Sequence, residues 1–412
     1  MSQFKDTDIG SIPNEWEISN IGSVADVTKL AGYEYTEYFK YSDNDEIIAL
    51  RALNVREGIL DLDNVKYISR DVSEALPRSK LFKHDLLFTY IGANIGQFAI
   101  VPENDRFHLA PNICRFRCNQ DYYYYFLYSY MRSSAFRDSL EGYSHGSSQP
   151  TLPMGIIRTI PVPVPPLPEQ KAIASVLSSL DDKIDLLHRQ NKTLEAMAET
   201  LFRQWFIEEA KEDWEEFELN EFGQIICGKT PSKSNANYFG DDVPFLKIPD
   251  MHGKVFITKT IDSLSQLGAL SQSKKMVPQN SICVSCIATV GLVCITDCDL
   301  QTNQQINSIV PTEPKFLYYL YEVMLGMYDE LHNLASGGTA TLNLNTGDFS
   351  RIKIAKPDDE TLLQFNNAII PLFTKIRCNV RQIQTLENLR DTLLPKLMSG
   401  EVRVQYQTEE VA

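Results

Sequence analysis

No stretch of this 412-residue chain approaches the roughly 20 apolar residues that a membrane-spanning helix needs. The opening Met1-Ser2-Gln3-Phe4-Lys5-Asp6 has neither the basic flank nor the apolar run of an export signal, so the cytoplasm is the expected location. Cysteine is sparse, with 8 residues, which fits reduced and buried thiols better than a disulfide framework. The 6 histidines show neither metal-ligand nor triad spacing. There is no G-x-S-x-G elbow, no G-x-G-x-x-G after a strand and no paired-carboxylate motif. Basic charge is also short: 39 Lys and Arg against 54 Asp and Glu leave a net charge of −15. That excludes a surface binding nucleic acid indiscriminately, but it allows focal basic patches. What is present, 43% hydrophobic and 23% charged residues, is the composition of an ordinary globular protein with room for two to four domains.

Two apparent chemical motifs dissolve on inspection. Gly223-Gln-Ile-Ile-Cys-Gly228-Lys229-Thr230 matches the phosphate-loop pattern, yet Pro231 and a Ser/Asn-rich run follow where a helix must start. Cys283-x-x-Cys286 with Cys294-x-x-x-Cys298 imitates a zinc site. An internal repeat speaks against it, because Cys283 falls opposite Phe88, Cys286 opposite Ile91 and Cys294 opposite Ala99, all apolar.

That repeat organises the whole chain, at an offset running from about 192 to 201 residues. Trp16-Glu17-Ile18-Ser19-Asn20-Ile21-Gly22 returns as Phe217-Glu218-Leu219-Asn220-Glu221-Phe222-Gly223. Lys83 to Leu87 returns as Pro278 to Ile282, and Gly96 as Gly291. The first globule shows short β-type runs at Glu46–Leu50, Asp85–Tyr90, Gln97–Val101 and Ile113–Arg117, closed by an aromatic helix over Tyr122–Leu140. The second repeats the plan, with Phe316–Leu334 as its helix.

Between the globules, Ile160-Pro-Val-Pro-Val-Pro-Pro-Leu-Pro168-Glu169-Gln170 predicts an extended lead-in and a helix start. Apolar residues then recur with 4-3 spacing at Ile173, Leu177, Leu180, Ile184, Leu187, Leu194 and Leu201, with Asn191 filling the missing step. The second copy places Phe365, Ile369, Leu372, Ile376, Ile383, Leu386 and Leu393 on the same seam, interrupted by Asn379 and Arg390. Each helix of about 40 residues would run about 60 Å. The expected fold is α+β: two strand-rich domains related by a pseudo-two-fold, separated by two long helices in an antiparallel coiled coil. The expected limits are 1–160, lead-in and helix 161–212, second globule 213–357, second helix 358–405 and tail 406–412.

Loop residues supply groups suited to base edges: Arg51, Asn54, Asn94, Gln97, Asn112, His145, Ser147 and Gln149. Lys247, Thr289, Asn303, Gln304, Gln305 and Thr339 are their counterparts. Basic clusters holding Arg115, Lys274 and Lys275, together with Arg78/Lys80/Lys83 and Arg132/Arg137, offer phosphate contacts. The aromatic run Tyr122 to Tyr125 is read first as the core face of a helix.

At this point the chain resembles the specificity subunits of type I restriction-modification enzymes. The carrying residues are Ile12-Pro13-Asn14-Glu15-Trp16, Pro163-Val-Pro-Pro-Leu-Pro-Glu-Gln170 and Gly228-Lys-Thr-Pro231-Ser232. The resemblance implies a non-catalytic chain with two target-recognition domains reading a split, asymmetric site in double-stranded DNA. It also implies two modification (methyltransferase) subunits and restriction/translocase subunits as partners. S-adenosylmethionine, ATP and Mg would belong to those partners, with no cofactor or metal on this chain and no membrane. The second lead-in, Ala355-Lys-Pro-Asp-Asp-Glu360, lacks the Pro-Pro-x-x-Glu-Gln pattern. The rival readings are a DNA methyltransferase, for which the Asn/Asp-Pro-Pro-Tyr/Phe motif is missing, and a coiled-coil adaptor that binds no DNA.

Overall fold

The computed structural model describes residues 3–56, 58–141, 150–336 and 342–405. The chain forms two compact units, one of Met1–Lys183 with Leu386–Ala412 and one of Ile184–Thr385. Each unit therefore holds one globule plus a piece of each long helix.

In the first unit a four-stranded antiparallel sheet runs in the order Phe98–Ile100, Leu86–Thr89, Ile113–Cys118, Ala25–Lys29. A three-stranded sheet of Phe107–Leu109, Ile47–Leu50 and Lys66–Ile68 stands beside it. The second unit repeats the plan with Val293–Thr296, Ile282–Ser285, Ile306–Pro311 and Gly223–Cys227, adding Phe256–Ile257 at one edge. Its other sheet, of Asp262–Leu264, Phe239–Leu246, Leu300–Thr302 and Met276–Val277, again joins a parallel and an antiparallel neighbour. Continuous apolar strands such as Ile282-Cys-Val-Ser285, buried throughout, are what a sheet covered on both faces requires.

Strand register corrects the alignment of the repeat. The short helix Ile21–Val24 leads into Ala25–Lys29, and its counterpart Leu219–Phe222 leads into Gly223–Cys227. Trp16 thus corresponds to Trp214, not to Phe217, because alignment on apolar character alone slips along the chain here. Similarly, Leu86 and Ile282 hold the same ladder position, each between two neighbouring strands, so Cys283 corresponds to Leu87 and Cys286 to Tyr90. Cys283 and Cys294 face each other across the ladder in the core.

Two local expectations change. The proline-rich segment is not a free lead-in: Pro161–Val164 pairs antiparallel with Glu17–Asn20. Proline at alternate positions suits such an edge, since its missing N–H can face away from the partner. Each aromatic helix is also broken in two, into Tyr124–Met131 and Ser134–Glu141, and into Leu317–Gly326 and Tyr328–Ala335. At the first break the Ser133 hydroxyl donates to Tyr130 O at 2.7 Å and accepts from Phe136 N, ending one helix and starting the next.

The long helices run from Leu167 to Arg203 and from Asp359 to Met398. In the second unit they pair antiparallel. Asn379 Nδ2 donates to Asn191 Oδ1 at 2.8 Å, and a turn-rich distance away Phe202 and Trp205 meet Phe365. Two of the three polar interruptions of the seam, Asn191 and Asn379, are therefore partners, both buried. Ile184, Leu187, Phe365, Ile369, Ile376 and Ile383 are buried, while Leu194, Leu201 and Leu372 are half-buried at the edge. In the first unit Ile173 and Leu177 join Leu394, Leu397 and Met398 in one core, with Leu180, Leu386 and Leu393 half-buried. The same seam residues also meet the globule: Phe365, Ile369 and Ile376, with Phe373 beside them, belong to the same core as Ile282 and Val284 of the sheet. The seam is shared between coil and globule.

Candidate nucleic-acid interface

The motif residues nearest the helix ends build structure before anything else. Glu169, with no exposed surface, accepts from Trp16 Nε1 at 3.1 Å and from Arg403 Nε at 2.7 Å. Arg403 also pairs with Glu15. Gln170 accepts from Tyr123 N at 2.8 Å and donates to Pro165 O at 2.9 Å. Glu169 is thus consumed in tying the first helix to both chain ends of the unit, and Gln170 in tying it to the segment that enters the aromatic helix. Gly400 sits so close to Pro13 that a Cβ there would lie 2.4 Å from its Cγ.

The second unit rebuilds the device with other residues. Asp358 accepts from Trp214 Nε1 at 3.2 Å and from Lys211 Nζ at 2.6 Å, and caps the helix through Thr361 N at 2.9 Å. Lys211 foremost, with Thr361, holds the Asp358 carboxyl well below the usual carboxylate range.

Among the candidate DNA-contacting residues, three are corrected to scaffold. Asn54 has no exposed surface: its oxygen accepts from Arg51 N and its amide donates to Asp61 O and Asn64 O. Asp250 does the same work in the second unit, accepting from Lys247 N at 3.0 Å and Ile261 N at 2.8 Å. Arg115 is buried and paired with Asp26, its guanidinium also reaching Arg78 O. Asn303 is buried and exchanges hydrogen bonds with Gln305. The amides are satisfied within their own loops, and the Arg115 guanidinium is buried on the strand Ile113–Cys118 against Asp26, so none of the three offers an open edge to a ligand.

The remaining candidates reach the surface. Asn94 is exposed and Gln97 half-buried on the turn between Gly92 and Gly96, both glycines at positive φ. Together they border a groove of about 750 Å³ with Arg56, Asp61 and Asp63. Arg51 and Asn112 are half-buried; Arg51 donates to Asn64 O at 2.8 Å, and Asn112 has a left-handed φ of 74°. In the second unit Gln304 and Thr289 are exposed, and Lys247 is paired with Asp262. Thr230, which the sequence placed in the false phosphate motif and in the opening of the second globule, donates to Gln304 Oε1 at 2.7 Å. Gly228 permits this contact, because a Cβ there would lie 2.0 Å from Asn303 O. Gly223–Cys227 is a strand, so no helix N-terminus waits at Lys229. Gln305 lies half-buried beside them.

The basic clusters divide sharply. Arg117 is held by Asp85 at 2.7 Å and Arg132 by Asp181 at 2.6 Å, both internal pairs. Arg78, Lys83 and Lys274 are exposed, with Lys275 half-buried. His145, Ser147, Gln149 and Thr339 lie outside the described residues. Tyr122 and Tyr125 are spent on Pro163 O and Asp181, consistent with a core-facing aromatic run. No helix among the described residues is long and apolar enough to cross a membrane.

The sequence matches the family described as type I restriction modification DNA specificity domain, over residues 13–196 and again over 211–387. It is 33% identical to the type I restriction enzyme HindI specificity subunit of Haemophilus influenzae, covering 83% of this chain and 90% of that one. It is 26% identical to the MjaIX specificity subunit of Methanocaldococcus jannaschii, covering 98% and 97%. The fold is similar to the crystal structure of the type I restriction-modification S subunit from M. genitalium, with a TM-score of 0.60 at 14% identity over 95% and 97% of the two chains. The duplicated globule and helix, the doubled family match and full-length relatives agree: this chain belongs to the type I restriction-modification DNA specificity subunits.

Proposed function

We propose that the chain is a cytoplasmic, non-catalytic subunit that reads a two-part asymmetric site in double-stranded DNA and docks two modification subunits and the restriction subunits. The supporting observation is duplication: two globules of one topology, each matching the same specificity family, each presenting an exposed polar turn. Asn94 and Gln97 in one and Thr230, Thr289 and Gln304 in the other offer donors and acceptors to base edges in the major groove. Arg78, Lys83, Lys274 and Lys275 supply phosphate contacts that fix register without carrying sequence information. S-adenosylmethionine, ATP and Mg would be held by the partner subunits, which carry out methyl transfer and cleavage. A gel shift with and without modification subunits separates this reading from an adaptor that binds no DNA. Exchanging residues 1–160 for the equivalent domain of a relative should change one half of the methylated site and leave the other. A change in both halves would overturn the two-reader assignment.

The paired helices would act as the ruler between the two readers. Removing one heptad from each should shorten the recognised spacing by roughly three base pairs, as about 10 Å of helix is lost. Lys229→Ala should leave the isolated chain as it was towards ATP, with no affinity before or after.

A further inference from the structure

One corner of the second globule is tied to the second long helix by polar side chains. The strand Val293–Thr296 ends at Asp297, whose backbone is fixed on both sides. Its N–H donates to Ile257 O at 3.0 Å, and its carbonyl accepts from Gln279 Nε2 at 2.9 Å. Beside it Asn280, with a left-handed φ of 62°, donates its N–H to Thr296 O at 2.9 Å. From the helix Asp359–Met398 two arginines one turn apart reach this corner. Arg381 grips the buried Asp297 carboxylate with Nε at 2.9 Å and Nη2 at 3.0 Å. Arg377 brings Nε within 3.1 Å of the same carboxylate and donates Nη2 to Asn280 Oδ1 at 2.6 Å. Its guanidinium also lies over the buried Phe256 ring, 4.5 Å from the centroid.

The duplicated topology does not require this contact. In the first copy Ala99 faces Leu87 as Cys294 faces Cys283, so Pro102, which is exposed, stands where Asp297 stands in the second. His84 takes the place of Asn280 and stacks on Tyr124 at 4.1 Å. At the 192-residue offset the matches of Arg377 and Arg381 are Asp185 and Arg189, both exposed and bonded to each other at 2.9 Å. Nor is stability the main yield. An arginine whose side chain stays 57% exposed adds little through its ion pair, but a two-point guanidinium–carboxylate contact fixes direction.

We infer that Asp297, Asn280, Arg377 and Arg381 are positioning residues that fix the second reader's orientation on its helix, and so make the assembled enzyme strict about the length of unread DNA between half-sites. The inference deepens the proposed two-reader function and rests on it. A ruler measures only if its end cannot swivel. One base pair more or less displaces a half-site by about 3.4 Å and turns it by about 35° around the duplex axis. A reader on a loose joint would follow that displacement. One held by a carboxylate fork, an amide and a ring face, all on a rigid sheet corner, resists it.

The test uses the full-length chain assembled with modification subunits. Sequencing DNA methylated by the wild type gives the site; duplexes then carry it at the native spacing and at one base pair longer or shorter. Arg381→Met keeps the stem of a half-exposed side chain and removes the carboxylate fork, so the fold is not at risk. Asp297→Asn weakens both arginine contacts at once. The expected result in each variant is a rise of about tenfold in methylation at the wrong spacings relative to the native one, with both half-site sequences unchanged. Arg189→Met, in the first copy's surface pair, should keep the wild-type preference. A merely structural role would instead lower methylation at every spacing alike, in step with the urea unfolding midpoint, and that outcome would overturn the inference. A changed base preference in the second half-site would overturn it too, by making these residues readers. A wild type that methylates a two-part site at any spacing would sink this inference and leave the two readers standing. A wild type that recognises no two-part site would remove the parent reading.

Discussion

The two units solve the same contact with opposite chemistry. In the first, Asp181 of the long helix accepts from Arg132 Nη1 at 2.6 Å, Tyr125 OH at 2.8 Å and Arg390 Nη1 at 3.1 Å. Burial, reinforced by Asp181, holds the Tyr125 hydroxyl protonated. In the second, the corresponding position is Phe373, stacked on Tyr318 at 4.3 Å and edge-on to Tyr321 at 5.4 Å. Where Arg390 reaches in from the opposing helix of the first unit, the second has the fully buried Ala198. The helix-end devices differ in burial instead. Glu169 is sealed with Trp16, whereas the side chains of Asp358 and Lys211 are 39% and 53% exposed. A repeat conserves the geometry of a contact far more strictly than its chemistry, because backbone placement must be kept while any well-satisfied set of side chains will hold it.

The sharpest way to test that comparison is to truncate each hub. Phe373→Ala removes a fully packed ring and should cost about 3–5 kcal/mol in urea unfolding, with no dependence on salt. Glu169→Ala strands the Trp16 indole N–H and half-exposed Arg403, at about 2–3 kcal/mol. Glu169→Gln should recover much of the loss by accepting from the indole. If the Ala variant unfolds like wild type, the device is decorative.

A stabilising change is expected at the buried amide pair. Replacing Asn191 and Asn379 together by Leu should raise stability by about 1–2 kcal/mol, since a hydrogen-bonded polar pair in a coil seam trades stability for register. Cysteine cross-linking along the seam should then detect a shifted register that wild type does not populate; a single register in the double variant would show that apolar packing alone aligns the helices.

The smallest effect belongs to the exposed device. Asp358→Ala should cost about 1 kcal/mol, mostly through the lost helix cap. Because the folded carboxyl lies below its ordinary value, its contribution is present above about pH 4 and fades as pH falls further. Glu169→Ala and Asp358→Ala of equal cost would erase the distinction between buried and exposed devices.

Much of this molecule was legible in its residues. The duplication, the strand-rich globules, the two long helices and their polar interruptions follow from periodicity, which is a local property that folding expresses directly. The polar steps at Asn191 and Asn379 were visible in that periodicity, but that the two side chains bond each other is decided by the folded chain. The false phosphate loop was recognisable from Pro231 and the run after it, and the apolar setting of Cys283 and Cys294 from their counterparts in the repeat.

What tertiary structure alone decided is which polar groups are spent. Asn54, Arg115 and Asn303 carry the same chemistry as Asn94, Arg78 and Gln304, and no pattern along the chain distinguishes a side chain aimed at its own loop from one aimed outward. The true match of Trp16 with Trp214 was likewise hidden, since it depends on the placement of the following helix and strand and not on apolar character. Local sequence sets which elements form, but satisfaction and burial are properties of contacts between residues far apart in the chain, and only the folded chain brings those together.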